Sequence, residues 1–184
     1  MAEVISGRFK KTRIYVPKGI RIRPTASVIR RAIFDYLGEW VKDKTVLDLY
    51  AGTGALGVEA LSRGAKSAVF IESDFRCVNS LRRTLNQLSG VDVEIIPLDV
   101  FQALSFLRDR KFDIIFLDPP YARKLVKSTL MEIEECGIVK NNSIIIAEHH
   151  KKEIIAGKIG GFNLSVQKKY GETVLSIFVV AGNE

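Results

Sequence analysis

Two apolar rhythms alternate along the chain. Ile29, Ala32, Ile33, Tyr36 and Leu37 recur at helical spacing after Pro24 and Thr25, which suit a helix start, and Gly38 ends the segment. Beyond it, short apolar runs at residues 45–49, 68–72, 93–96, 113–118 and 143–148 are separated by stretches of helix length and helix pattern. Strand and helix alternating this often predict a mostly parallel sheet with helices on both faces, the Rossmann-like α/β class. The end breaks the rhythm: residues 162–168 and 173–180 read as strands joined by 169–172, with Gly171 in the turn, which predicts a closing antiparallel hairpin. Ahead of the first helix, Val4, Ile5, Phe9, Ile14, Tyr15, Val16, Ile20 and Ile22 are interleaved with polar residues, so this stretch is expected to form short strands.

At 184 residues and 47% hydrophobic content the chain suits one domain, expected at 25–184, preceded by an arm at 1–24. No apolar run approaches membrane-spanning length, and no apolar stretch of signal-peptide length opens the chain, so a cytoplasmic protein without membrane contact is expected. Cys77 and Cys136 are far apart and have no companion at metal-ligand spacing; they read as reduced packing residues, and no metal is expected. The net charge of +7 matters once it is located. Arg8, Lys10, Lys11, Arg13, Lys18, Arg21 and Arg23 face the single acid Glu3 in the arm, while the rest of the chain is nearly balanced. Such a run is often a solvated tail. Interleaved with apolar residues it becomes an ordered basic surface, which suits a polyanionic partner. Arg8, Lys10, Lys11, Arg13, Arg21, Arg23 and Thr25 are therefore the candidate RNA contacts.

The first strand runs into Asp48-Leu49-Tyr50-Ala51-Gly52-Thr53-Gly54-Ala55-Leu56-Gly57, a Gly-x-Gly-x-x-Gly turn at a strand-to-helix junction. Glycine there permits a tight turn and close approach of backbone to a ligand, but the pattern alone serves nicotinamide and flavin dinucleotides equally. Asp48 alters the balance. A carboxylate at the loop mouth would repel a pyrophosphate, whereas S-adenosylmethionine carries no phosphate and offers an ammonium and a sulfonium. Tyr50, Ala51, Gly52 and Gly54 would line its site. Glu72, at the end of the second strand, suits the ribose hydroxyls; Asp99 suits the adenine amino group, and the Val100 amide suits the ring. The fourth strand delivers Asp118-Pro119-Pro120-Tyr121 to the same strand ends. Two prolines stiffen the turn and leave carbonyls as acceptors, an array that can orient an exocyclic amine, with Asp118 also bordering the cofactor and Tyr121 offering a stacking face.

These residues resemble the RsmD-type 16S ribosomal RNA guanine-N2 methyltransferases. The likeness rests on residues 48–64, 68–72 and Asp118-Pro119-Pro120-Tyr121, and extends to Gly7, Arg21 to Thr25, Arg31 to Phe34, Glu148, Tyr170 and Gly171. Ala26 and Ser27 depart from that pattern. The resemblance implies a class I methyltransferase fold with a seven-stranded sheet, S-adenosylmethionine as methyl donor, and a guanine of 16S rRNA within an assembled small subunit as target; a monomer is expected. Three readings compete: adenine-N6 methylation of DNA, nicotinamide-dependent oxidoreduction, and RNA binding without catalysis. The short chain, Asp48 and the ring of acids weigh against them in turn. His149 and His150, after Glu148, are candidates for the site rim, though strand-end histidines are more often structural.

Overall fold

A computed structural model describes residues 2–19, 27–120 and 125–180 of the chain. Within it, β1 (Ala2–Glu3) and β2 (Arg13–Ile14) form a two-stranded ribbon, followed by α1 (Ser27–Leu37), β3 (Thr45–Leu49), α2 (Ala55–Ser62), β4 (Ser67–Ile71), α3 (Phe75–Leu85), β5 (Asp92–Ile96), α4 (Val100–Phe106), β6 (Phe112–Leu117), α5 (Val126–Cys136), β7 (Val139–His150), β8 (Lys158–Ile159), β9 (Phe162–Tyr170) and β10 (Thr173–Val180). The sheet order is β5-β4-β3-β6-β7-β10-β9-β8. The first five strands are parallel and the last three antiparallel, with β10 inserted between β7 and β9. The seven expected strands are all present. The eighth is the two-residue β8 at the edge, too short to leave a periodic signal in the sequence.

Strand side chains alternate between two cores, as the two-residue period requires. Val46, Phe70, Ile114, Phe116 and Ile146 face α1, α2 and α3, where Phe34 meets Phe116 with ring centroids 5.9 Å apart. Leu47, Leu49, Ile71, Ile115 and Leu117 face α4 and α5. Both faces of the central strands are therefore buried, which is why they read as continuous apolar runs.

The described part of the arm is less extended than its alternation suggests. Among residues 2–19 four are in strands, and a turn at residues 7–11, with Gly7 and Lys11 at φ 83° and 69°, lies between them. Strand β7 begins earlier than expected. Lys140-Asn141-Asn142 precedes the expected run at 143–148, yet Val139 already pairs with Phe112, and a register shift accommodates the polar residues while Ser143 Oγ ties Lys140 N–H to the Phe112 carbonyl. Pro24 and Thr25, the expected helix start, lie outside the described residues.

Candidate active site

Strands β3, β4, β5 and β6 all end on one edge of the sheet, with Asp48 next to last in β3, Glu72 and Asp118 immediately after β4 and β6, and Asp99 three residues after β5. Leu49 and Leu117 are register partners on adjacent strands, so Tyr50 and Asp118 leave the sheet side by side. The glycine loop then turns through three left-handed residues, Tyr50, Gly52 and Gly54, at φ 60°, 56° and 76°. A Cβ on Gly54 would stand 2.3 Å from Leu81 Cδ1, and one on Gly57 would stand 2.3 Å from Phe70 Cε1. The second and third glycines thus let α2 and its entry turn lie against α3 and β4.

Asp48 is almost fully buried, 2% exposed, and one oxygen accepts the Gly57 N–H at 2.9 Å, tying the strand end to the first turn of α2. Burial pushes its carboxyl up to about 8; the Gly57 amide opposes this, and the nearby Glu72 charge adds to it. Glu72 is half-buried and clasps the loop, accepting the Gly52 N–H and the Asp74 N–H, each at 2.7 Å. A carboxylate has about four lone-pair sites, so two such bonds leave acceptor capacity for a further hydroxyl. Asp99 is exposed and caps α4 through the Phe101 N–H at 3.0 Å. Val100 is buried, and its amide belongs to the first helical turn, whose N–H groups the helix itself does not satisfy. Tyr50 turns its hydroxyl to Thr129 on α5 at 2.9 Å; burial raises its phenol, Thr129 counteracts this, and the charge of Asp99 raises it further. Asp48 with Glu72 and Tyr50 with Asp99 are thus electrically coupled across one edge.

Asp118 is half-buried, Pro119 buried and Pro120 exposed. Tyr121 lies outside the described residues. His149 is enclosed in the sheet, 1% exposed, with Nε2 2.8 Å from Ser176 Oγ, and burial lowers its pKa. Its neighbour His150 is 3.5 Å from Glu172 on the turn before β10. Both cysteines are buried and unpaired by disulfide. Among the described residues no cluster of histidines, cysteines and acids could hold a metal, and no helix is long and apolar enough to cross a membrane.

Of the candidate RNA contacts, Arg21, Arg23 and Thr25 lie outside the described residues. Residues 2–19 of the arm dock on the far ends of α2 and α3, through contacts that sequence reasoning missed. Glu59, with no exposed surface, accepts the Ile5 and Ser6 amides at 2.7 and 3.0 Å and pairs with Arg63. The Ser62 carbonyl accepts the Arg8 N–H, Ser62 Oγ accepts the Phe9 N–H, and buried Arg30 reaches the Glu3 carbonyl. A Cβ on Gly7 would stand 1.9 Å from the Ser62 carbonyl oxygen, so the arm fits only with glycine there. Arg13, Lys11 and Arg8 are exposed and Lys10 likewise, around a backbone fixed by buried partners. The one sequence signal for this dock is a glutamate on an otherwise apolar helix.

Over residues 2–179 the chain matches the family model described as conserved hypothetical protein 95. It is 36% identical over 152 residues to the ribosomal RNA small subunit methyltransferase D of Buchnera aphidicola, covering 83% of this chain and 80% of that one. A solved methyltransferase candidate of Escherichia coli, yhhF, superposes with a TM-score of 0.87 at 28% identity over 99% of both chains. SMU.776, a methyltransferase candidate solved in complex with SAH, shares the fold at a TM-score of 0.68 and 17% identity, over 86% of this chain and 50% of that one. Glycine loop, acid-lined sheet edge and kinship agree: the chain belongs to the RsmD-type family of ribosomal RNA methyltransferases.

Proposed function

We propose that this protein methylates the exocyclic N2 amine of a guanine in 16S rRNA, with S-adenosylmethionine as methyl donor and S-adenosylhomocysteine as product. The observation that carries the reading is the adjacency of the glycine loop and Asp118-Pro119 at the ends of the register-paired strands β3 and β6. Kinship with small-subunit rRNA methyltransferases supports the substrate class, and the SAH bound to SMU.776 supports the cofactor class.

The residues of the edge suit that cofactor. Bound there, it supplies a methyl group on a positively charged sulfur. Glu72 retains acceptor sites for ribose hydroxyls, Asp99 and the Val100 amide suit adenine, and Tyr50, Ala51, Gly52 and Gly54 provide a close backbone wall. Asp48 stabilises the loop that holds the cationic end and favours positive charge nearby when ionised.

Guanine N2 is a poor nucleophile because its lone pair is delocalised into the ring. Asp118 and the Pro119 carbonyl accept its two hydrogens and turn the lone pair toward the methyl group, so the rate gain comes from orientation and electrostatics. Pro120 stiffens the turn, and Tyr121 stacks on the extruded base. The nitrogen forms its new bond to carbon as the carbon–sulfur bond breaks, and the surplus proton leaves afterwards, without a strong base. Residues 1–24 serve as the RNA-contacting arm of a catalytic domain at 25–184, and Arg8, Lys10, Lys11, Arg13, Arg21, Arg23 and Thr25 contact RNA. The protein acts as a monomer, without metal, on assembled small subunits in the cytoplasm.

The test is transfer of labelled methyl to undermethylated small subunits, naked rRNA and duplex DNA in parallel, followed by nucleoside analysis. N2-methylguanosine from subunits is the expected product. Label only in DNA, as N6-methyladenine, would overturn the substrate.

A further inference from the structure

Arg13 and Arg83 come from distant parts of the chain and meet on one ring. The guanidinium carbon of Arg83 lies 4.2 Å from the centroid of Tyr15, and that of Arg13 lies 5.1 Å from it. Two cations are thereby held within one Debye length of each other, about 10 Å at 0.1 M salt. The fold fixes them there: the Tyr15 N–H donates to Thr84 Oγ1 at 3.0 Å, and Gln87 Nε2 donates to the Arg13 carbonyl at 2.9 Å. Both side chains are exposed, and among the described residues neither pairs with a carboxylate, unlike Arg63, Arg76 and Arg110. A third guanidinium, that of Arg8, rests on Phe9 at 4.4 Å and is anchored to the Gly90 carbonyl just beyond α3.

Two like charges gathered around one aromatic ring, with no carboxylate paired to either among the described residues, form a receptor for an external anion. Guanidinium suits phosphate best, because it stays flat on the ring while its edge donates two parallel hydrogen bonds. We propose that Arg83, Arg13 and Tyr15 form a composite clamp for backbone phosphate of the rRNA substrate, built jointly by α3 and the arm. The inference rests on the rRNA reading above and adds Arg83, which lies outside the basic arm. Its place in the fold also says what it grips. Helix α3 starts at the cofactor edge, just after Glu72, and Arg83 lies eight residues along it, about 12 Å further down the molecule. The clamp therefore engages phosphates away from the target base and contributes affinity and register rather than base choice.

The experiment compares the unaltered protein with Arg83→Ala and with the Arg13→Ala/Arg83→Ala pair, the side chains being exposed so that folding is unaffected. RNA binding is followed by fluorescence anisotropy across a salt series on naked small-subunit rRNA, methyl transfer is assayed on undermethylated small subunits, and cofactor affinity is measured by calorimetry. The expected result for the pair is a log–log salt slope shallower by about one to two and an RNA KM raised about tenfold. Cofactor Kd and kcat stay unchanged. An unaltered salt slope and KM in the pair would overturn the clamp. Failure of the unaltered protein to methylate any rRNA would instead overturn the underlying reading, and the two are separable because the slope is read from binding alone.

Discussion

The two edges of the parallel sheet are lined by different charged groups, acids at one and lysines interspersed with Asp92 and Asp113 at the other. Where strands end, Asp48 is next to last in β3 and Glu72, Asp99 and Asp118 come after β4, β5 and β6; where strands begin, Lys44, Lys66, Lys111 and Lys140 stand at or beside the starts of β3, β4, β6 and β7. The difference follows from the wiring of a strand–helix–strand unit. Each strand-to-helix turn exposes amide N–H groups, which acids satisfy, as Asp48 does for Gly57 and Asp99 for Phe101. Each return turn exposes carbonyls, which cations satisfy, as Lys111 does for Gly137. At that second edge Trp40, Lys44, Lys111, Asp113 and Lys140 surround an open cavity of about 540 Å³. On the proposed function, one edge holds a cationic small molecule, while the flank next to the other presents cations to a polyanion.

The largest effect is expected at Asp118. Asp118→Ala should lower kcat by about 10²- to 10³-fold, the usual loss for a positioned polar partner, with cofactor Kd within a few-fold; single-turnover methyl transfer measures it, and wild-type turnover would remove Asp118 from the chemistry. Asp48 comes next. Its folded carboxyl, raised to about 8, binds a proton more tightly than the unfolded one near 3.8. The contribution of Asp48 to stability without cofactor is therefore fully present below pH 4 and is lost as pH rises toward 8, with a slope approaching 1.4 kcal/mol per unit, at most about one proton. Urea midpoints across that window should show the fall in the wild type and not in Asp48→Asn, whose amide oxygen can still accept from Gly57.

Glu59→Ala should cost about 2 to 4 kcal/mol by leaving the Ile5 and Ser6 amides without their acceptor, and hydrogen exchange should show the arm released while the sheet stays protected. Glu72→Ala should weaken cofactor binding by about tenfold, the loss of one good hydrogen bond; an unchanged calorimetric Kd would contradict its ribose role. Smallest is Lys140→Ala at the basic edge. It removes a 2.7 Å pair with Asp113 whose lysine is 42% exposed, and a melt should register less than about 1 kcal/mol.

How much of this was legible in the sequence depends on the range of the interaction. The five parallel strands and the glycine loop were readable because their signal is local: continuous apolar residues for strands covered on both faces, and glycines where Tyr50, Gly52 and Gly54 turn left-handed. The acids could be assigned to one edge because topology brings successive strand ends together. Their state could not. That Asp48 lies buried against Gly57, and that Glu72 already grips Gly52 across twenty residues, depends on packing between α2, β3 and β4. The arm was readable as basic and ordered, but its dock was not, because Glu59, Ser62 and Thr84 are separated from their partners by more than fifty residues and, Glu59 apart, look like ordinary helix positions.

The insertion of β10 between β7 and β9 also constrains the order in which the molecule is made. Strand β9 leaves the ribosome before β10, yet its only long partner in the sheet is β10, with which it shares eight register pairs. Until Thr173–Val180 emerges, Phe162, Leu164 and Val166 have no sheet to join, and the edge of β7 stays open. A nascent chain stalled short of β10 therefore exposes two unpaired strand edges, the form most prone to pair with a neighbour, and completion of that one strand closes both.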